Sequence, residues 1–71
     1  MIINPGALSH YSISIRDAIS SISIPVVEVH LSNIFTREKF RNHSVISDVC
    51  AKMVVGFGSI GYKIAVGYFL N

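Results

Sequence analysis

The sequence predicts an α/β fold in which helices cover both faces of a parallel sheet. Short apolar stretches rich in β-branched residues alternate with stretches of helical period, in the order strand, helix, strand, helix, strand, helix. Three such units fit within the 71 residues. The first strand has only three residues and nothing before it, although a parallel sheet needs cover on both faces and protected edges. We therefore expect the chain to begin in the middle of a fold.

The first unit is a strand at Met1–Ile3 followed by a helix at Tyr11–Ser21. The strand ends at the turn cluster Asn4–Gly6, because proline cannot donate to a ladder and glycine permits unusual dihedrals. Ser9 or Ser12 is the expected helix cap. Apolar residues recur at the spacing of one helical face: Ile15, Ala18, Ile19 and Ile22.

The second unit begins after Pro25 with a buried strand at Val26–His30, where β-branched residues predominate. The polar pair Ser32–Asn33 ends this strand. A short helix is expected around Thr36–Arg41, and the stretch Ser44–Val49 has no clear periodicity.

The third unit is a strand at Ala51–Val55 that ends at Gly56–Gly58, followed by a helix at Ser59–Leu70. The helical period predicts that the inner side of this helix carries Ile60, Ile64 and Ala65.

Composition narrows the classes of function. Hydrophobic residues make up 51% of the chain, and a domain this short buries little of its surface alone, so we expect association with partners. The net charge of +2 comes from scattered Lys and Arg residues, which does not indicate nucleic-acid binding. The single cysteine excludes an internal disulfide, and no apolar run reaches the length of a membrane span. We expect a cytoplasmic protein with no membrane contact.

The strongest chemical signal is the pair Glu28 and His30. Residues two apart on a strand point to the same face, and open α/β sheets bind ligands at the carboxyl ends of their strands. A carboxylate beside an imidazole fixes its tautomer and favours the protonated form, as a general acid requires. The alternative is a strand-end histidine that bonds a backbone carbonyl, with Glu28 as its ion-pair partner.

Other polar residues are expected at the same end of the sheet: Asn4, His10, Ser32 and Arg41. Arginine, amide and imidazole groups together suit a small polyhydroxylated carboxylic acid. Taken singly, each has a structural explanation: Asn4 as a turn former, His10 as a loop residue, Arg41 as a solvated helix charge, and Asp17 as one half of a surface pair with Arg16.

A metal site and a nucleotide-binding site are both disfavoured. The three histidines lie in separate loops without HxH or HExxH spacing, so no metal site is predicted. The stretch Gly56–Gly61 matches G-x-G-x-x-G, but no later strand carries the acidic residue that binds ribose, so a tight turn is the preferred interpretation. A phosphate-binding loop after the first strand is not apparent at Pro5–Ser9.

Four stretches resemble, in this order, the C-terminal half of type II 3-dehydroquinate dehydratases: IINPGALSHYSISIRDAI, IPVVEVHLSN, REKFRNHSVIS and GFGSIGYKIAV. The resemblance implies a flavodoxin-like three-layer parallel sheet, of which residues 1–71 supply only the last three βα units of one domain. It also implies conversion of 3-dehydroquinate to 3-dehydroshikimate and water in the shikimate pathway or in quinate catabolism. The family uses no cofactor or metal and assembles as a dodecamer of trimers.

The resemblance also implies roles for individual residues. His30 is the proton donor, and Glu28 keeps it oriented and protonated. Asn4 binds substrate and helps to position His30. The other expected substrate-binding residues are His10, Arg41, Leu31, Ser32 and, from a neighbouring subunit across the trimer interface, Asp17.

The part of the family that this chain does not match carries the lid arginine and the tyrosine that removes the C2 proton. Tyr11, Tyr62 and Tyr68 match non-catalytic positions, so none is expected to be the base. In the strand order 2-1-3-4-5 this chain supplies strands three to five. Two hypotheses remain: a dehydratase, or part of one, that an N-terminal half completes, and a truncated module without turnover that binds ligand weakly or associates with itself.

Overall fold

Residues 1–32 and 44–70 are described by a computed structural model, in which three parallel strands form one sheet with helices on both faces. The chain order is β1 (Ile2–Ile3), α1 (Ile13–Ser21), β2 (Val27–His30), β3 (Lys52–Val55) and α2 (Ile60–Leu70). Short 3-10 turns lie at Gly6–His10 and Ser47–Val49. The three predicted strands are confirmed to within one residue at each end. The helix predicted at Thr36–Arg41 lies outside the described residues.

β2 is the central strand of the three, paired in parallel with β1 on one side and β3 on the other. Glu28 lies opposite Ile3 and Met53, and His30 lies opposite Val55. All four residues of β2 are buried, as expected for a parallel strand covered on both faces. The carboxyl end of β2, with its glutamate and histidine, therefore lies in the middle of this sheet.

The two faces of the sheet have separate apolar cores. On one face, α2 packs its Ala65 against Val27, Val29 and Val54, with Ile2 at the margin. The opposite face packs against α1 and the segment 44–50. The core on this face contains the buried residues Ile19, Val26 and Ile46 and the partly buried residues Ile3, Ile15, Val45, Val49 and Cys50. Side chains alternate along a strand, so Glu28 and His30 share this second face with Val26.

The predicted start of α1 at Tyr11 was wrong, because the helix begins two residues later, at Ile13. Residues Gly6–His10 form a 3-10 turn, and the carbonyl of Leu8 accepts hydrogen bonds from the backbone N–H groups of Tyr11 and Ser12. Ser12 is the cap, because its hydroxyl accepts from the N–H of Ile15 at 3.2 Å. Of the two proposed caps, Ser12 is confirmed and Ser9 is not.

The inner face predicted for α2 was wrong in two of three residues. Ala65 is fully buried as predicted, but Ile60 and Ile64 are 61% and 38% exposed, and the other buried residue is Gly61. A β-carbon on Gly61 would lie 3.2 Å from Cγ1 of Val29 and 3.5 Å from Cγ1 of Val54. Small residues face the sheet because the helix axis approaches the strands closely there.

The turn between β3 and α2 is the tight turn expected from the G-x-G-x-x-G match. Gly56 and Gly58 have φ of 85° and 58°, the left-handed region that favours glycine. The N–H of Gly56 donates to the carbonyl of His30 at 3.1 Å, and that of Gly58 donates to the carbonyl of Leu31 at 2.8 Å. These N–H groups bond to the end of β2, so they are not directed at a phosphate.

Within residues 1–32 and 44–70, none of the helices is long and apolar enough to cross a bilayer.

The close approach of α2 to the sheet predicts different effects for alanine at Gly61 and Gly67. Gly67→Ala gains about 1 kcal/mol of helix propensity, and its β-carbon meets nothing within 4 Å. Gly61 is the second residue of α2, where the gain in propensity is smaller, and its β-carbon would meet Val29 and Val54. We expect Gly61→Ala to have a free energy of unfolding about 1–3 kcal/mol lower than that of Gly67→Ala.

Urea unfolding followed by far-ultraviolet circular dichroism measures this difference, with the wild-type chain as the common reference. Equal stabilisation by both substitutions would contradict the close packing of α2 on Val29 and Val54.

Candidate active site

The centre of the site is a contact between Glu28 and His30 at the carboxyl end of β2. Glu28 Oε2 contacts Nε2 of His30, and the two residues are 0% and 4% exposed. The strand places them on one face because they are two residues apart. The predicted pairing of a carboxylate with an imidazole is therefore confirmed, and it lies where parallel sheets form their ligand sites.

Two serines that the sequence analysis did not single out also bind Glu28. The Ser47 hydroxyl donates to Oε1 at 2.6 Å, and the Ser44 hydroxyl donates to Oε2 at 3.3 Å. Both belong to the stretch Ser44–Val49 that had no clear periodicity. Their spacing of three residues allows both hydroxyls to face the same side of a turn, but nothing in the sequence linked them to Glu28.

The surroundings of Glu28 favour its ionised form. Burial by itself would raise the pKa of this carboxyl, but hydrogen bonds from His30, Ser47 and Ser44 act in the opposite direction and together outweigh it. The pKa of Glu28 is therefore below its ordinary value. The buried carboxylate is therefore available as a charged hydrogen-bond acceptor beside the His30 ring.

Asn4 lies at the carboxyl end of β1, where its side-chain amide makes two hydrogen bonds. Its Oδ1 accepts from the N–H of Gly6 at 3.2 Å, and its Nδ2 donates to the Tyr62 hydroxyl at 2.8 Å. The Gly6 contact forms the turn that the sequence predicted. The Tyr62 contact, from the first turns of α2, was not anticipated, and an effect of Asn4 on His30 stays a prediction.

The remaining predicted residues fall in different places. Leu31 and Ser32 are exposed and directly follow His30, and His10 is half-buried at the end of the 3-10 turn after β1. These three therefore belong to the loops at the carboxyl ends of β1 and β2. Asp17 is exposed on α1. Arg41 lies outside the described residues, and its substrate contact stays a prediction.

The segment that carries Ser44 and Ser47 is fixed to α1 and to the first loop. Arg16 of α1 contacts the carboxylate of Asp48, and its Nη1 donates to the carbonyl of Val45 at 2.8 Å. The N–H of Val45 donates to the carbonyl of Ser9 at 2.7 Å. Hydrogen bonding to Arg16 lowers the pKa of Asp48, so this link is fully formed near neutral pH.

A cleft of about 450 Å³ lies between α1 and this segment, lined by Ile13, Arg16, Ser44, Val45, Ser47 and Asp48. Of the predicted site residues that the structure describes, none lines this cleft. Within residues 1–32 and 44–70, no three His, Cys, Asp or Glu side chains are arranged to hold a metal ion.

Cys50 reports on the charge of Glu28. Burial, and after it the negative charges of Glu28 and Asp48, raise the pKa of the Cys50 thiol to about 11. Alkylation requires the thiolate. At pH 8 we therefore expect iodoacetamide to modify the folded chain about 100-fold more slowly than the urea-unfolded chain, in which the thiol has an ordinary pKa near 8.5.

Glu28→Gln removes one negative charge and should lower the pKa of Cys50, so that alkylation between pH 7 and 9.5 becomes faster. Asp17→Asn, which removes an exposed carboxylate on α1, is the matched control and should leave the rate unchanged. Equal rates for Glu28→Gln and the wild-type chain would contradict a charged Glu28 beside the thiol. Amide proton dispersion checks that each variant is folded.

The family match and the similar proteins all point to one enzyme family. Residues 1–70 match the family described as Dehydroquinase class II. The chain is 62% identical over all 71 residues to the 3-dehydroquinate dehydratase of Bacillus subtilis, covering 48% of that protein. It is 64% identical over 66 residues to that of Bacillus cytotoxicus, covering 93% of this chain and 45% of the relative. The chain thus spans about half the length of the curated relatives it matches.

Two crystal structures of type II dehydroquinases share this fold. The enzyme from Butyrivibrio crossotus superposes with a TM-score of 0.95 at 48% identity, over 99% of this chain and 49% of that one. The enzyme from Propionibacterium acnes gives 0.92 at 46% identity, over 96% of this chain and 47% of that one. The flavodoxin-like interpretation of the sheet is confirmed, and the chain belongs to the type II dehydroquinase family.

Proposed function

We propose that this chain is the part of a 3-dehydroquinate dehydratase that supplies the general acid. The reaction would convert 3-dehydroquinate to 3-dehydroshikimate and water, in the shikimate pathway or in quinate catabolism, in the cytoplasm. The observation that carries the proposal is the buried contact between Glu28 and His30 at the carboxyl end of β2. The high identity to proteins named 3-dehydroquinate dehydratase supports it.

The proposed chemistry is an elimination through an enolate. A base removes the C2 proton of the substrate, and the electron pair moves onto the C3 carbonyl oxygen. The C1 hydroxyl then leaves as water as the enolate collapses to form the C1–C2 double bond. The departing hydroxyl needs a proton, and the proposal assigns its donation to His30.

Glu28 makes His30 suitable for this step. Its carboxylate contacts Nε2 of the imidazole, so the protonated ring carries its second N–H on Nδ1, which becomes the donor to the substrate. The ionised state of Glu28 stabilises the imidazolium before the proton is transferred. A general acid of this kind contributes typically 10²–10⁴-fold to the rate.

The remaining substrate contacts are proposed for residues that follow the strands. Asn4, with its amide orientation set by Gly6 and Tyr62, would bind substrate beside His30. Leu31 and Ser32 would bind the substrate carboxylate, and His10 and Arg41 its hydroxyls. The Leu31 carbonyl bonds to Gly58, so the peptide that follows His30 is held in one orientation.

The base is proposed to lie in the half of the protein that this chain does not span. The resemblance assigns it to a lid tyrosine there, and Tyr62 already accepts a hydrogen bond from Asn4 at the first turns of α2. Proposed partners are therefore an N-terminal half and further copies, in a dodecamer of trimers where Asp17 contacts a neighbour. The exposure of Asp17 on α1 is consistent with such a contact.

A second candidate is a module without turnover that binds ligand weakly or associates with itself. The chain covers only about half of its relatives, which favours this candidate when the chain is alone. An apolar cleft of about 240 Å³ also lies beside β1, lined by Met1, Ile3, Ile15, Ala18, Ile19 and Ile22. A surface of this kind is suited to association with further polypeptide.

The test follows the ultraviolet absorbance of the conjugated enone of 3-dehydroshikimate. The chain is assayed alone and after mixing with the N-terminal remainder of the Bacillus subtilis relative. We expect turnover in the mixture only, and we expect His30→Ala to lower kcat of the mixture about 10²–10⁴-fold. Ser21→Ala, on the exposed end of α1, is the matched control and should leave kcat unchanged.

Size-exclusion chromatography establishes that the two halves associate before activity is measured. A complex that forms but produces no enone would rule out the dehydratase proposal and leave the binding module. Turnover by the chain alone would mean that one of its own residues serves as the base, and the assignment of roles would change.

A further inference from the structure

Glu28 carries a negative charge at a position without solvent, and its hydrogen-bond partners come from two parts of the chain. His30 approaches from the same strand. Ser44 and Ser47 approach from the segment that follows β2, 16 and 19 residues further along the chain. Each carboxylate oxygen thus has a hydroxyl partner, since Ser47 bonds to Oε1 and Ser44 to Oε2.

The direction of these hydrogen bonds follows from the other contacts of the two hydroxyls. Ser44 Oγ accepts from the N–H groups of Ile46 and Ser47, at 3.3 and 3.2 Å, so its single proton points to Glu28. Ser47 Oγ lies 2.6 Å from Glu28 and 3.3 Å from the sulfur of Met53, and a carboxylate is a much stronger acceptor than a thioether. Both hydroxyls therefore donate to the carboxylate.

Among the residues that the structure describes, His30 is the titratable nitrogen base in contact with Glu28. Cys50 is a neutral thiol near pH 7, because burial raises its pKa. Asp48 carries a negative charge but is paired with Arg16 of α1. Hydrogen bonds to a carboxylate favour its ionised form, so the two hydroxyls oppose the effect of burial without adding charge.

We propose that Ser47 and Ser44 are positioning residues that keep Glu28 ionised and fixed in the absence of solvent, so that it can hold His30 as a protonated donor. This inference rests on the proposed role of His30 as general acid and extends that role to residues outside the substrate site. Neither serine needs to touch the substrate, because both act through the Glu28 carboxylate.

The proposal is tested by titrating Glu28 directly in the 71-residue chain with ¹³C-carboxyl NMR. Glu28→Gln identifies its resonance. Ser47→Ala should raise the midpoint of the Glu28 titration by about one pH unit, a tenfold gain in proton affinity. Ser47→Thr keeps the hydroxyl and should restore the wild-type midpoint. Ser44→Ala should act in the same direction but less strongly, because its hydrogen bond is longer.

Ser21→Ala removes a hydroxyl that bonds to the Ala18 carbonyl on α1, and it is the control for a serine-to-alanine change far from the site. A folded Ser47→Ala chain with an unchanged Glu28 midpoint would overturn the proposal. Should Ser47→Ala fail to fold, Ser47→Cys replaces the hydroxyl with a weaker donor of similar size. An upward shift in that variant supports the proposal, and the wild-type midpoint overturns it.

The titration needs no turnover, so its outcome is independent of the proposed reaction. In the mixture of the two halves, Ser47→Ala should also move the acid limb of the kcat profile to higher pH by the same amount. A shifted titration with an inactive complex would refute the dehydratase proposal and retain the role of the serines. An active mixture in which Ser47→Ala leaves the Glu28 midpoint unchanged would retain the dehydratase proposal and refute the role of the serines.

Discussion

The buried carboxylate of Glu28 is the constraint on which the rest of this structure depends. A charge removed from water is strongly destabilising unless hydrogen bonds and an opposite charge replace its hydration. Here the replacements come from His30 in the same strand and from Ser44 and Ser47 in a distant segment. Without any one of these partners, the charge of Glu28 would be only partly compensated. Burial of Glu28 at the end of β2 therefore requires the segment 44–50 to be in place.

The two faces of the sheet differ in composition because of that charge. The buried core on the face toward α2 is apolar, and Gly61 and Ala65 allow the helix to approach the strands closely. The opposite face mixes apolar residues with Glu28 and His30, and it is covered by α1 and by a turn that supplies hydroxyl groups. Tight apolar packing on one side thus supports a polar arrangement on the other side of the same strand.

The sequence predicted those features that depend on local pattern. The three strands follow from short β-branched runs between turn residues, and the shared face of Glu28 and His30 follows from the two-residue period of a strand. The inner face of α2 did not follow, because that helix is apolar around most of its circumference and its periodicity distinguishes no side. Ile60 and Ile64 were predicted to face inward, whereas the sheet packs against the small residues Gly61 and Ala65.

The roles of Ser44, Ser47 and Tyr62 were not predictable from pattern for a different reason. Their partners lie 16, 19 and 58 residues away in the chain, and no local period records a hydrogen bond across such distances. Residue types indicated a polyhydroxylated acid as the ligand, but the individual substrate-binding roles came from the family resemblance. Spacing alone allowed Asn4 and His10 to be ordinary turn and loop residues.

The turn at Gly56–Gly58 has a consequence for how sequence changes far from His30 affect it. Its N–H groups bond to the carbonyls of His30 and Leu31, so the turn that leads into α2 is tied directly to the end of the central strand. A substitution that shifted α2 would therefore act on the backbone that carries the imidazole without altering any site residue.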